Sequence, residues 1–190
     1  DDSASRGLGD VYKRQGLILD LVEKEKIELT LWVPAVILFL LQHPNAEKTD
    51  FSSLKVVVYG ASPIAEDTVV NAIKLMNCGF YQVYGLTETS GAITCLVSED
   101  HDPKKNKLRS CGKALPGVEI KVIDDAGNEV DQGEVGEIIT KSDLNMKGYW
   151  NNSEATEKSI QDGWFYSGDA GFLDKDCLLY TSDAADERRR

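Results

Sequence analysis

A chain of 190 residues has the length of one ordinary domain or slightly more, and its 42% hydrophobic content suffices for a buried core. The formal net charge of -11 argues against a nucleic-acid partner, because phosphate backbones are held by a surplus of Lys and Arg on one face. No stretch reaches the ~18 apolar residues of a membrane span, the Asp1-Asp2 start lacks a signal-peptide h-region, and Cys78, Cys95, Cys111 and Cys177 have no CxxC spacing, so they read as reduced thiols of a cytoplasmic protein without a metal cluster.

The two ends, residues 1–15 and about 177–190, lack the hydrophobic periodicity of the middle. Both are similar to peptides made when sequencing-adapter read-through is translated, and natural disordered termini would look much the same. Either way the fold is expected between them. Leu17, Ile18, Leu21 and Val22 have helical spacing within 16–26. Residues 29–33 read as a short buried strand, and Pro34 opens a helix to about Leu41. A polar loop over 43–53 leads to the β-branched run 54–59, which predicts a strand covered on both faces. Gly60-Ala61-Ser62-Pro63 turns the chain into a helix over 64–76, closed by Gly79, and 80–84 is the next strand. This strand–helix–strand order predicts an α/β fold with a parallel layer over 16–98, whose ligands gather at the carboxyl ends of strands.

Beyond about Val97 the pattern changes. Residues 99–109 form a charged connector, followed by short β runs at 117–123, 134–140 and 164–172 and a helical patch near 153–158. Turn signals this frequent predict a small antiparallel β-barrel subdomain or meander over 99–176.

The strongest chemical signal is Tyr84-Gly85-Leu86-Thr87-Glu88-Thr89 at a strand end. Beside a nucleotide, the Tyr84 ring can stack on a base, and Gly85 admits close backbone approach. Thr87 can hydrogen-bond phosphate, and Glu88 offers a hard oxygen to Mg²⁺. A plain turn whose Thr and Glu cap the next element uses the same residue types. His43 and His101, in polar loops, read as surface histidines. Trp150 and Trp164 read as packing residues, and Lys141 and Lys147 as solvated.

Four segments together resemble the adenylate-forming superfamily of acyl-CoA synthetases, luciferases and peptide-synthetase adenylation domains, in family order from about Leu29 to Asp176. Tyr84 to Glu88 is similar to its adenine-and-magnesium motif, and Gly60-Ala61-Ser62-Pro63 to its Gly-Gly-Ala-Pro-type loop. Gly133-Glu134-Val135-Gly136-Glu137 with Met146-Lys147-Gly148-Tyr149-Trp150 resembles its barrel motif. Gly163-Trp164-Phe165-Tyr166-Ser167-Gly168-Asp169 resembles the motif whose Asp grips ribose, with Ser167 where Thr is commoner.

The resemblance implies site roles for these positions. Gly60, Ala61 and Ser62 lie along the adenine, and Tyr81, Gln82 and Val83 lead to it. Tyr84 stacks on the base, Gly85 borders the acyl group and phosphate, Thr87 holds phosphate, Glu88 positions Mg²⁺, and Asp169 accepts from both ribose hydroxyls. Thr87 and Glu88 are the implied catalytic pair. ATP, Mg²⁺ and coenzyme A are the implied cofactor and co-substrates, with a small carboxylic acid as the other partner. The context of residues 59–64, 84–94 and 98–101 looks most like medium- or long-chain fatty acid ligases. An aryl or coumarate-type CoA ligase, a peptide-synthetase adenylation domain and a non-catalytic nucleotide-binding module are the alternatives. The 190 residues show neither the family's Ser/Thr/Gly-rich phosphate loop nor its lid lysine, so by themselves they are expected to be an inactive fragment.

Overall fold

The computed structural model describes residues 14–181. One five-stranded sheet has the hydrogen-bonded order β1 (Leu29–Trp32), β2 (Val56–Gly60), β3 (Gly79–Leu86), β4 (Gly91–Leu96), β5 (Lys113–Ala114). It mixes a parallel β1–β2 pair with an antiparallel β4–β5 pair. Two compact units interleave along the described residues: 14–82 with Val97–Arg109, and Val83–Leu96 with 110–181. The sequence suggests one boundary near Ser98; the two compact units change over after Gln82, after Leu96 and after Arg109.

In the first unit, helices α1 (Gln15–Lys24), α2 (Pro34–Gln42) and α3 (Glu66–Met76) surround the core. A parallel strand pair needs a long crossover, and α2 lies in the one that joins β1 to β2. Pro34 occupies its first turn, where the missing N–H has no partner to lose. Helix α3 begins at Glu66, two residues later than predicted, because Ala65 is still extended. Glu66 and Asp67 place negative charge at its positive end. Asn77 in the left-handed region (φ 48°) ends it, so Gly79 opens β3 rather than closing the helix. Ile37, Leu40, Val57, Tyr59, Val69, Ala72 and Phe80 form the buried centre, each large apolar side chain contributing about 1.5–3 kcal/mol.

Two expectations fail here. Strand β1 is not buried: Leu29 and Leu31 are 62% and 66% exposed, and only Trp32 turns inward. An apolar run says that both faces want cover, not that cover is present. His101 is not a surface residue either, being 5% exposed. Its Nδ1 lies 2.9 Å from the Val97 carbonyl and its Nε2 3.0 Å from the Tyr59 hydroxyl. The carbonyl can only accept, so Nδ1 carries a proton, while Nε2 faces the Tyr59 hydroxyl, which also reaches Gln82 Oε1 at 3.3 Å. Burial holds this imidazole below its ordinary pKa.

The second unit carries an antiparallel sheet ordered β10 (Leu179–Thr181), β9 (Trp164–Leu173), β7 (Gly136–Lys141), β6 (Glu119–Ile123), with β8 (Ile160–Gln161) on β9. Helix α4 (Ser153–Ser159) precedes β8. These elements match the predicted meander closely. Asp124 shapes the β6–β7 turn by accepting from the Ala126 and Asn128 N–H groups, which holds its carboxyl below the usual range. Ile138 and Leu179 are fully buried against Cys111, Tyr84 and Leu173.

The predicted foreign or disordered tail overlaps this sheet. Leu179–Thr181 pairs with Gly171–Leu173, and Leu178 and Leu179 are 1% and 0% exposed. Leu179 exchanges hydrogen bonds with the main chain of Cys111 (2.7 Å) and Gly112 (2.9 Å). Three residues are too few to show a period, which is why this strand is hidden in the sequence. Residues 1–13 and 182–190, the remainder of the two ends, lie outside the described residues. Among the described residues no helix is long and apolar enough to cross a membrane. All four cysteines are free.

Candidate functional site

The site is built in the second unit, from the end of β3 and a distortion in β9. Tyr84, Gly85 and Leu86 finish β3, and a short 3₁₀ turn, Thr87–Thr89, follows. At Gly85 an added Cβ would collide with the Gly91 carbonyl, so the outgoing and returning chains approach as only glycine permits. Thr89, fully buried, accepts the Leu86 N–H (2.9 Å) and donates to the Gly91 carbonyl (2.7 Å). This pins the turn from inside and leaves Thr87 exposed and Glu88 half-buried above it.

Asp169 is placed by a bulge. Ile139 faces Tyr166 and Glu137 faces Ala170, so β9 takes four steps where β7 takes two. Bulges of this kind bend a strand and re-aim a side chain. Gly168 supplies the left-handed φ of 73°, and its N–H donates to the Glu137 carboxylate (2.9 Å). Ser167 donates to the Ile138 carbonyl (2.6 Å) and accepts the Asp169 N–H (3.0 Å). The hydroxyl is what the geometry uses, so Ser serves here as Thr would.

The result joins two predicted residues that lie 85 positions apart: the Tyr84 hydroxyl donates to Asp169 Oδ2 at 2.7 Å. Burial first, then this bond to the carboxylate, pushes the Tyr84 phenol far above its ordinary pKa, so it remains a donor. One Asp169 oxygen and the spare lone pairs of the other stay available to hydroxyl donors, since a carboxylate has about four acceptor positions.

Glu88 has its own partner, one that sequence reasoning missed. The Tyr149 hydroxyl donates to Glu88 Oε1 (2.9 Å), and the Met146 N–H donates to the Glu88 carbonyl (2.6 Å). Ser90 donates to the Leu144 carbonyl (2.7 Å). In the sequence Tyr149 stands out only as part of the Met146–Trp150 segment, and its 61-residue separation from Glu88 hides the contact. No cluster of three or more His, Cys, Asp or Glu able to cage a metal occurs among the described residues. A lone half-buried carboxylate suits an ion that brings phosphate and water ligands with it, as Mg²⁺ does.

Val83, Tyr84, Gly85, Thr87, Glu88 and Asp169 thus share the second unit, while Gly60, Ala61, Ser62, Tyr81 and Gln82 fall in the first. Ala61 sits in the left-handed region at φ 66°, and Gln82 turns into the core, its Oε1 3.3 Å from the Tyr59 hydroxyl. Trp150 does not pack, being 92% exposed. Trp164 does: Lys121 and Lys141 lie over its ring at 5.1 and 6.0 Å, so Lys141 is not simply solvated. An open depression lined by Lys147, Tyr149, Trp150, Asn152 and Thr156 is surface rather than cavity, and neither Tyr84 nor Asp169 lines it.

A mixed sheet followed by a curled antiparallel one is the architecture of the N-terminal domains of adenylate-forming enzymes. The chain belongs to the AMP-binding enzyme family, whose profile matches residues 9–150. It is 36% identical over 165 residues to the fatty acid–[acyl-carrier-protein] ligase ScoC of Streptomyces coeruleorubidus, covering 87% of this chain and 32% of that protein. It is 38% identical over 166 residues to the medium/long-chain-fatty-acid–CoA ligase FadD8 of Mycobacterium tuberculosis, covering 87% and 29%. Plant 4-coumarate–CoA ligases, such as ligase 3 of Oryza sativa, match at 33% over 90% of the chain. Among solved structures, the amide bond synthetase McbA of Marinactinospora thermotolerans superposes with a TM-score of 0.82 at 33% identity, covering 89% of this chain and 34% of that one. The chain therefore spans about a third of the length of these relatives.

Proposed function

We propose that the whole protein is a cytoplasmic acid–thiol ligase that activates a carboxylic acid as its acyl-adenylate and passes the acyl group to coenzyme A. In the first half-reaction a carboxylate oxygen attacks the α-phosphorus of ATP, and pyrophosphate leaves. In the second, the coenzyme A sulfur attacks the acyl carbon, the thiol proton goes to solvent, and AMP leaves. Neither half needs a protein nucleophile, so the protein contributes positioning and charge stabilisation.

Tyr84 stacks on adenine and Asp169 holds the ribose hydroxyls by charge-assisted hydrogen bonds. Thr87 donates to the α-phosphate, and Gly85 lets the phosphate approach the backbone. Glu88 is the protein ligand of Mg²⁺, which offsets phosphate charge when bound. The observation that supports this reading is the 2.7 Å bond between Tyr84 and Asp169, the two side chains proposed for the base and for the ribose.

A medium- or long-chain fatty acid is the proposed substrate, on the likeness to FadD8 and ScoC. The matches to coumarate ligases favour an aryl acid as the second reading. Equilibrium dialysis of AMP with this chain tests the site: Tyr84→Ala and Asp169→Ala should each weaken binding by about tenfold, the loss of one charged or stacked contact. Unchanged affinity in Asp169→Ala removes the ribose role. Pyrophosphate exchange by the whole protein across a panel of fatty and aryl acids identifies the acid. Nucleotide binding without exchange would make the protein a binding module. The 190 residues alone are expected to give no exchange above a blank.

A further inference from the structure

We propose that Tyr149 is a positioning residue, which aims the Glu88 carboxylate at the Mg²⁺ of a bound nucleoside triphosphate. The inference rests on the metal role proposed for Glu88 and extends it to a residue of the barrel motif that carries no role of its own in the resemblance. A Glu side chain has three rotatable bonds, and on an exposed turn it samples many orientations. Here the Tyr149 hydroxyl fixes Oε1 at 2.9 Å and leaves Oε2 for an incoming ligand. A metal-binding carboxylate is ordinarily steered in this way by an outer hydrogen bond.

Tyr149 is itself held. Its N–H donates to Thr156 Oγ1 (2.9 Å), which donates to the Asn152 carbonyl (2.8 Å), and Asn152 Oδ1 caps α4 at the Ala155 N–H (3.1 Å). On its other side the loop is fastened at three points. Asn145 Nδ2 donates to the Thr140 carbonyl at the end of β7 (2.9 Å). The Met146 N–H and the Ser90 hydroxyl close the gap to the Thr87–Thr89 turn. A helix cap, a strand end and the turn bearing Glu88 are thereby braced against one another, with Tyr149 at the junction. Surface hydrogen bonds add little to stability. A chain of them converging on one carboxylate makes better sense as geometry than as glue.

The test measures the affinity of this chain for ATP in Mg²⁺ and in EDTA and takes the ratio. In the unaltered chain Mg²⁺ should strengthen binding. Tyr149→Phe keeps the ring and removes the hydroxyl, and it should lower the ratio by about tenfold, the usual effect of losing an outer partner of a metal ligand. Trp150→Ala, its exposed neighbour, should leave the ratio alone. In a Glu88→Gln background, adding Tyr149→Phe should change nothing further, because the hydroxyl acts only through that carboxylate. A melting curve checks that each variant folds. If Glu88→Gln lowers the ratio and Tyr149→Phe does not, the positioning role is wrong while the metal reading survives. If Tyr149→Phe still lowers the ratio without the Glu88 carboxylate, Tyr149 contacts the nucleotide directly and the inference is likewise wrong. No ATP binding, or a ratio of one in the unaltered chain, removes the metal role of Glu88 and this inference with it.

Discussion

Replacing Tyr84 by Phe isolates the hydrogen bond that joins the two candidate site residues. The ring stays, its packing against Cys111, Ile138 and Leu179 stays, and only the hydroxyl that donates to Asp169 at 2.7 Å is lost. A hydrogen bond to a charged group contributes about 1.5–3 kcal/mol. Asp169 is only half-buried, so water can replace the lost donor and the cost should fall toward about 1 kcal/mol. For a chain of this length that is a melting temperature lower by about 2–4 °C. Urea unfolding followed by tryptophan fluorescence measures it, and the double-mutant cycle with Asp169→Ala, which removes the acceptor, separates the pair from the individual side chains. A coupling energy below about 0.3 kcal/mol, within the additivity of independent sites, would mean that the bond is not formed in solution. Nucleotide binding gives a second arm. Stacking needs the ring and not the hydroxyl, so Tyr84→Phe should keep AMP affinity within about threefold while Tyr84→Ala loses about tenfold.

Three further outcomes follow from residues outside that pair. His101 is buried neutral and its folded-state pKa lies below the ordinary value. Stability should therefore be full above about pH 6.5 and fall as the pH drops toward the lower folded-state pKa, where the unfolded chain takes up the proton first. Urea midpoints at two pH values read this, and His101→Gln should flatten the dependence between them; an equal slope in the variant refutes it. Ala61→Gly should raise stability by about 0.5–1 kcal/mol, because glycine tolerates the left-handed φ of 66° that alanine does not, and a melting temperature that falls would count against it. Alkylation by iodoacetamide near neutral pH should strike exposed Cys177 first. Burial pushes the Cys78 thiol up to about 11 and raises Cys95 and Cys111, and peptide mapping that finds any of these three as fast as Cys177 contradicts the burial.

What could be read in advance follows the range of the forces involved. Helices α1 and α2, and the strands at 56–60, 119–123, 136–141 and 164–173, are written in local periodicity and turn residues, and each appears close to its predicted place. Signals failed where the deciding partner is distant in sequence. Leu29 and Leu31 look buried because they are apolar, His101 looks exposed because its neighbours are charged, and Leu179 looks irrelevant because three residues show no period; in each case another segment decides.

The site divides along the same line. Its residue types were legible, because a strand-end Tyr, Gly, Thr and Glu and a Gly-Asp pair resemble motifs of a known family. Their geometry was not. Asp169 reaches Tyr84 only because β9 takes two more steps than β7 between shared partners, and a bulge depends on register, which no single strand encodes. Glu88 is steered by a hydroxyl 61 residues away, and nothing near Tyr149 announces that use. If Asp169 has the proposed ribose role, a bulge that misaims it would cost nucleoside binding. Deleting Gly168 should therefore cost AMP affinity as much as Asp169→Ala does, about tenfold, by removing one of the two extra residues that turn the carboxylate toward Tyr84. Dialysis of that deletion against the unaltered chain is the direct measurement. Full affinity would mean that the acid finds its place without the bulge.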